Sequence, residues 1–404
     1  MITEKQDAYS LPCSRLVIST IIYSTSVMRS FCIHGQEGCG PSRILRDTHQ
    51  EILFGSSHHV GTSLFRSLDL SDRFRRLLTK HPNNVLVRTS AFSLGFRDHI
   101  EIELHLNSLS SSKTFALEFG CDFVGVIVDT GASVSSLEIG QRVIPSAVFP
   151  TFRSDGSRGI PCNIASREFL LLPASMLVPI RDEMDDLTAA CFTVPYQTAA
   201  AMIRRSGLSP SHGPCLVTSV RASTSIALIQ ILKAKGYEVV GLSRSDVHSD
   251  KLKSIGLDCL LTYDHLSDDI ETDIIRTCKE YGPFPLVFDM FPDLYLPSMI
   301  SLMAEGGRYI TCGVLNQGQI YQASNLTSSH LTANHFSQII FKGIHIIGSC
   351  LGEHSDLLEA LNLYDKGAFV VPMDKVFTDT HSNGFLERSF SSQQRFGRTI
   401  FSFS

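Results

Sequence analysis

Apolar positions recur with two different textures along the chain. Between residues 29 and 175, short β-branched and aromatic runs are interrupted by Gly, Pro and Ser. Residues 29–33, 85–89 and 123–129 each predict a strand; the last is closed by Thr130 and Gly131, and Gly140 begins a turn into a further strand at 142–145. Short strands at this spacing suggest a partly closed β-barrel. Residues 54–84 are less regular and predict an inserted helix or loop, with helical periodicity from Leu64 to Leu78.

Near Asp185 the texture changes. Residues 185–206 predict one helix lined with small apolar residues such as Ala189, Ala190, Ala199, Ala200 and Ala201. Strands at 214–219, 238–243, 259–263, 286–290 and 308–312 then alternate with helices at 223–235, 248–255, 269–281 and 296–303. Repeated β-α units with short apolar strands predict a doubly wound parallel sheet covered by helices on both faces. From about residue 340 the character is mixed again, ending in a strand at 398–403. An α/β chain is expected: an N-terminal extension over 1–28, a β-rich domain from 29–187 and 340–404, and an alternating β-α domain over 188–339.

Composition narrows this picture. With 404 residues, 43% of them hydrophobic and 19% charged, there is room for two packed cores. A net charge of −5 points to neither nucleic acid nor an anionic membrane as partner. Ser and Thr interrupt the apolar segment 16–27, and no clear small-residue cleavage site follows, which argues against a secretory signal. Eleven cysteines without a C-x-x-C pair suggest reduced thiols and a cytoplasmic setting, not a disulfide framework or a four-cysteine zinc lobe.

The candidate chemistry begins at the first β-α turn of the alternating region, Leu216 to Ala227. A dinucleotide pyrophosphate binds where backbone N–H groups at a tight turn and a helix N-terminus converge. The candidates are Thr218, Ser219, Ala222, Ser223, Thr224 and Ser225. Each is small, and their hydroxyls are able to reach phosphate oxygens, but a Cβ restricts positive φ and close approach. A capped helix in a domain that has lost its cofactor is the alternative. The second strand ends at Ser243, Arg244 and Ser245, where an acid would suit the ribose of NAD; a guanidinium between two serines instead suits the 2′-phosphate of NADPH. An ordinary surface arginine is the competing explanation. Tyr263 and Gly313, at the ends of later strands, complete the expected cofactor set.

In order and spacing, these features resemble the medium-chain dehydrogenase/reductase superfamily, especially its zinc-free quinone-oxidoreductase and enoyl-reductase branches. The residues that carry the likeness are Ala91 to Asp98, Gly120 to Ile127, Gly131 to Val134, Gly140 to Val143, Gln197-Thr198-Ala199, Phe288-Asp289 and Gly306 to Tyr309. The resemblance implies a GroES-like β-barrel catalytic domain, an inserted Rossmann-type domain, a cleft between them, and hydride transfer with NAD(P)H. It places Thr198 under the nicotinamide, and it makes a homodimer possible.

Zinc-dependent members of this superfamily take catalytic ligands from three separated places. Here the first position falls on Gly95, the second on Cys121, and the third near Thr193 or Val194, with Cys191 a few residues away. One plausible ligand of three implies no metal site, and leaves Cys121 as a buried apolar residue or a thiol lining the substrate cleft. Without metal, the substrate must be polarised by hydrogen-bond donors and a proton supplied after hydride delivery. Several zinc-free relatives use a Tyr or Asn near the Arg-Asp segment, where this chain has Gly95 and Phe96. The candidates are therefore Arg97, His99 and Tyr196, with solvent as another proton source. Arg97 and Asp98 alternatively form an internal ion pair, and Tyr196 alternatively only packs. The segment 157–166 is a candidate for specificity or a plain surface loop. The expected activity is NADPH-dependent reduction of a conjugated C=C or a quinone; the alternatives are a non-catalytic ligand-binding descendant or a zinc alcohol dehydrogenase.

Overall fold

The computed structural model describes residues 28–34, 45–54, 58–67, 71–109, 115–149, 153–154, 156, 158–315 and 331–403. Residues 1–27 of the expected extension, and Ser157 of the candidate specificity segment, lie outside the described residues. The chain divides into two compact units: the first takes residues up to Ser146, Ile160–Cys191 and Met373–Ser404, and the second takes Ala147–Gly159 and Phe192–Pro372.

The first unit is built from two sheets. In the larger, the strand Asn84–Ser93 is central and uses one edge twice: residues 84–88 pair with Phe169–Pro173, and residues 91–93 pair with Arg398–Ser402. Its other edge pairs antiparallel with Asp122–Thr130, with register shifts at Leu86/Val87 and Thr89/Ala91. Such bulges bend a strand and raise its twist, as a sheet curling toward a barrel requires. In the smaller sheet, Met28–His34 pairs with His58–Ser67 and Ala116–Leu117. The core is dominated by phenylalanine. Phe401 stacks on Phe31 at 5.0 Å and on Phe92 at 5.3 Å, with Phe385 edge-on to all three. These fully buried rings take the place that tryptophan, absent from this chain, often fills.

The second unit contains a six-stranded parallel sheet. Its order is Cys259–Thr262, Val239–Ser243, Cys215–Val217, Phe284–Asp289, Met303–Thr311 and His345–Gly348. The chain starts in the middle, winds out to one edge, then returns and winds to the other. The resulting switch point lies between Cys215–Val217 and Phe284–Asp289, and in such sheets ligands bind beyond the carboxyl ends of those strands. The strands Cys215–Val217 and Val239–Ser243 are buried throughout, which explains their largely apolar sequence.

Three expectations need correction. The segment 185–206 is two helices, Asp186–Ala190 and Thr193–Ser206; the first is capped by Asp185, whose carboxylate accepts from the Thr188 amide at 2.9 Å. The periodicity from Leu64 to Leu78 straddles a strand, His58–Ser67, and a separate helix, Ser71–Lys80. The return to the first unit comes at Met373 and not near 340, because His345–Gly348 still pairs with Met303–Thr311 and the helix His354–Asp365 follows it.

One glycine matters for the switch point. A Cβ at Gly241 would lie 2.6 Å from Val220 Cγ1 and 2.8 Å from Leu257 Cδ1, so the β-α turn rests directly on this backbone. Gly241→Ala should destabilise the protein by roughly 1–3 kcal/mol through overpacking, seen as a lower urea midpoint with an unchanged slope.

Candidate functional site

The turn that follows Cys215–Val217 is set by backbone and buried side chains together. The Thr218 amide donates to the Phe288 carbonyl at 3.0 Å, which extends the ladder one residue beyond the strand. Ser219 adopts φ +48°, the left-handed region that glycine enters at least cost, and the Ala222 amide closes the turn on the Ser219 carbonyl at 2.8 Å. The helix Ser223–Ala234 then begins with Ala222 at its N-cap, which has no side-chain oxygen to accept from the first-turn amides.

The hydroxyls proposed as phosphate ligands divide into two groups. Thr218 and Ser225 turn inward and are fully buried; Thr218 donates to Asp289, and Ser225 donates to the Thr218 carbonyl at 3.0 Å. Ser219, Ala222, Ser223 and Thr224 are partly exposed along the turn. Ser243 is also buried, its Oγ accepting from the Ser245 amide at 3.3 Å, so that at the second strand tip Arg244 is the exposed member. Tyr263 is buried and shares a 3.1 Å hydrogen bond with Tyr295, whose hydroxyl also receives Ser219 Oγ at 3.4 Å. Gly313 passes the Met290 carbonyl closely enough that a Cβ would approach it to 2.9 Å. Thr198 is buried on the helix Thr193–Ser206.

Two features of this site were not anticipated from sequence. One is Asp289, fully buried at the switch point, whose carboxylate accepts from Thr218, from Tyr309 and, at 2.9 Å, from the Phe291 amide. Burial pushes its pKa up to about 6 despite these donors. The other is Arg221, in the turn itself. Its pKa is lowered by burial and by the positive charge of Arg244. Arg244 also acts on the buried hydroxyls of Tyr263 and Tyr295. The signals were present: an acid ends the apolar run at 284–289, and a cation interrupts a turn of small residues. Two arginines, a helix start without a side-chain cap and a tight turn suit an anionic dinucleotide.

The proposed catalytic residues fall in different surroundings. Arg97 donates to Asn163 Oδ1 at 2.7 Å and to Glu101 at 3.2 Å, while the Asp98 carboxylate accepts from the Gly95 amide at 2.7 Å. Each member of the expected Arg97–Asp98 pair thus has its own partner, and Asp98 fixes the start of the helix Phe96–Ser108. Burial opposes the charge on Arg97, but Cys121, Glu101 and Asp98 hold its pKa above the ordinary arginine value. His99 packs edge-on against Phe390 at 5.0 Å, and burial lowers its pKa, favouring the neutral ring. Tyr196 belongs to the second unit. It is stacked between Phe192 at 4.6 Å and Phe369 at 5.0 Å, and its hydroxyl donates to Gln230 at 2.6 Å. That buried environment gives Tyr196 a structural place. The segment 157–166 is divided: Gly159 pairs with Val148 in the second unit, whereas Asn163, in the first, receives Arg97.

The comparisons with known proteins agree with this architecture. Residues 81–182 match the family described as alcohol dehydrogenase GroES-like domain, and residues 224–366 match zinc-binding dehydrogenase. The chain belongs to the medium-chain dehydrogenase/reductase superfamily, whose members are oxidoreductases that bind NAD or NADP. A phenolphthiocerol/phthiocerol polyketide synthase of Mycobacterium tuberculosis is 28% identical over 232 residues, covering 57% of this chain and 10% of that protein. The matched region therefore spans about a tenth of that relative's length. The trans-enoyl reductase calK of Penicillium decumbens is 29% identical over 226 residues, covering 51% of this chain and 56% of that enzyme. A cobalt- and zinc-bound thermostable alcohol dehydrogenase from Pyrobaculum aerophilum has a similar fold, with a TM-score of 0.64 at 21% identity, covering 80% of this chain and 92% of that one. Among the described residues, no helix is long and apolar enough to cross a membrane.

The buried Asp289 makes a pH prediction. The folded protein keeps its proton up to about pH 6, whereas an unfolded aspartate releases it near 3.8. Stability tied to this proton is therefore full below about pH 4 and is lost as pH rises through 6; a two-unit difference corresponds to about 3 kcal/mol. Asp289→Asn, which does not titrate, should gain on the wild type by up to that amount between about pH 4 and pH 7, measured by urea unfolding at matched pH. A constant difference between the two proteins would contradict it.

Proposed function

We propose that this protein is an NADPH-dependent reductase that delivers a hydride to an activated, conjugated C=C or a quinone-type small molecule, without catalytic zinc. The observation that carries the proposal is the exposed Arg244 at the tip of the second parallel strand, beside a β-α turn that itself bears Arg221 and whose buried hydroxyls are already committed to the fold. In this assignment the first-turn amides of Ser223–Ala234 take the pyrophosphate, and Arg244 with Arg221 takes the 2′-phosphate. The bound dinucleotide supplies the hydride. Thr218, Ser225 and Asp289 keep the turn in shape, and Gly313 leaves the exit of the fifth parallel strand open beside Met290.

Arg97 is the donor we assign to the substrate carbonyl or quinone oxygen. Its side chain is partly exposed, at 31%, and its guanidinium is aimed by Asn163 and Glu101. A charged donor fixed before the reaction stabilises the developing oxyanion without reorganising. Conjugated acceptors need less electrophilic help than plain ketones, which fits a site that relies on a guanidinium. Solvent supplies the proton, since the Tyr196 proton is directed to Gln230 and burial disfavours a charged His99. The likeness to a trans-enoyl reductase supports the same substrate class.

Cofactor titration tests the assignment. Loss of a charge-assisted contact to a phosphate should weaken NADPH binding by about tenfold to a hundredfold in Arg244→Ala, with NADH binding unchanged; Arg221→Ala should act in the same direction. Equal losses for both cofactors, measured by nicotinamide fluorescence, would overturn the 2′-phosphate role. Sustained NADPH oxidation with a panel of enones and quinones should follow from wild type and fall in Arg97→Ala.

A further inference from the structure

Kinship with zinc-binding dehydrogenases raises the question of what this chain has at the family's metal position, and the first unit answers it with an arginine. We infer that Arg398 is a resident cation: its guanidinium fills the space beside Gly95 where a metal-binding relative carries its first ligand, and it excludes zinc from the site. No metal is needed to supply positive charge there, because the polypeptide supplies its own.

The geometry carries the argument. Of the three ligand positions implied by the family likeness, Gly95 offers no side chain and Cys121 offers one thiol, fully buried. A Cβ built on Gly95 would lie 2.7 Å from Arg398 Nη2 and 3.0 Å from its Cζ. Real Cβ atoms do not approach that closely, so a side chain at 95 would have to push aside a guanidinium that Asp122 and Ser93 hold in place. Glycine at 95 is the complement of the arginine and not merely the loss of a ligand.

Arg398 is only 4% exposed. Its Nη1 lies 2.6 Å from Asp122 and donates to Ser93 Oγ at 3.2 Å, while the Ser93 hydroxyl donates to the Ala190 carbonyl at 2.7 Å. Burial opposes the charge, but Asp122, Asp98, Cys121 and Cys191 outweigh it and raise the arginine's pKa. The position is rigid, since Arg398 opens a strand whose Ile400 pairs with Ser93. A buried ion pair of this kind is costly to break from one side, because the remaining charge is left without a partner. Any divalent cation bound by Cys121 would also face the second guanidinium, Arg97, which the same thiol borders.

The test uses the full-length protein and Co²⁺ as a probe, with metal uptake and thermal unfolding as readouts, so it does not depend on the cofactor assignment. Wild type and Gly95→Cys should take up no stoichiometric Co²⁺ at Cys121 and show no thiolate-to-cobalt absorption band beyond that of a Cys121→Ser control. Arg398→Ala should lower the melting temperature by roughly 10 °C, and Arg398→Lys should recover part of the loss. If Arg398→Ala does not fold, Arg398→Ala with Asp122→Asn removes both charges and should melt no lower than Asp122→Asn alone, which leaves the arginine without its counter-charge. One equivalent of Co²⁺ bound by wild type and lost in Cys121→Ser would overturn the inference, and so would an Arg398→Ala protein that melts with wild type or a double variant that melts well below Asp122→Asn.

Discussion

The carboxylate of Asp289 is the constraint on which the nucleotide-binding half of the molecule depends. It ends the strand Phe284–Asp289 at the switch point, and it gathers Thr218 from the neighbouring strand's exit and Tyr309 from the strand on the other side. Three parallel strands are thus tied at their carboxyl ends by one side chain. The turn above them inherits its position from this tie: Thr218 is held by Asp289, and Ser225 on the following helix is held by Thr218. The helix start is consequently fixed relative to the sheet without using the amides of its own first turn.

This arrangement explains how a turn with serine in place of glycine keeps its shape. Ser219 stands in the left-handed region, where an L-residue is disfavoured by roughly 1–2 kcal/mol. The cost is offset locally by the turn hydrogen bond from Ala222 and by the contact of Ser219 Oγ with Tyr295. The glycine that the fold does require sits one strand away. Gly241 has Val220 and Leu257 against its Cα, so the close approach expected at the turn occurs underneath it.

Much of this was legible in the sequence, and the failures have physical causes. The β-α alternation showed clearly because the inner strands are buried and therefore mostly apolar. The last strand of the same sheet was missed because it lies at the edge: His345 and Ile346 are exposed, so His345–Gly348 lacks the apolar signature of its neighbours. That one omission moved the expected domain return from Met373 to about 340. The division of roles among the serines and threonines was also invisible, since the sequence pattern does not distinguish Thr218, turned toward a buried acid, from Thr224 on the partly exposed turn. Tyr196 was a candidate donor that could alternatively only pack, and its partners Gln230 and Phe369 lie far along the chain. Arg398 gave no local signal at all, because an arginine at a strand start is ordinarily solvated.

The two buried charges show why partner type, and not burial, decides protonation. Asp289 is surrounded by neutral donors, two hydroxyls and an amide, and these stabilise its anion less than burial penalises it. Its proton therefore becomes exchangeable near pH 6. Arg398 is as deeply buried but faces carboxylates, so its charge is retained at any pH the fold survives. The first unit consequently carries a permanent cation beside Asp122 and Gly95, and the second carries a carboxyl whose ionisation is set by the fold. Exchanging their surroundings would exchange their behaviour: an aspartate facing a guanidinium would stay ionised, and an arginine facing only hydroxyls would have no counter-charge for its burial.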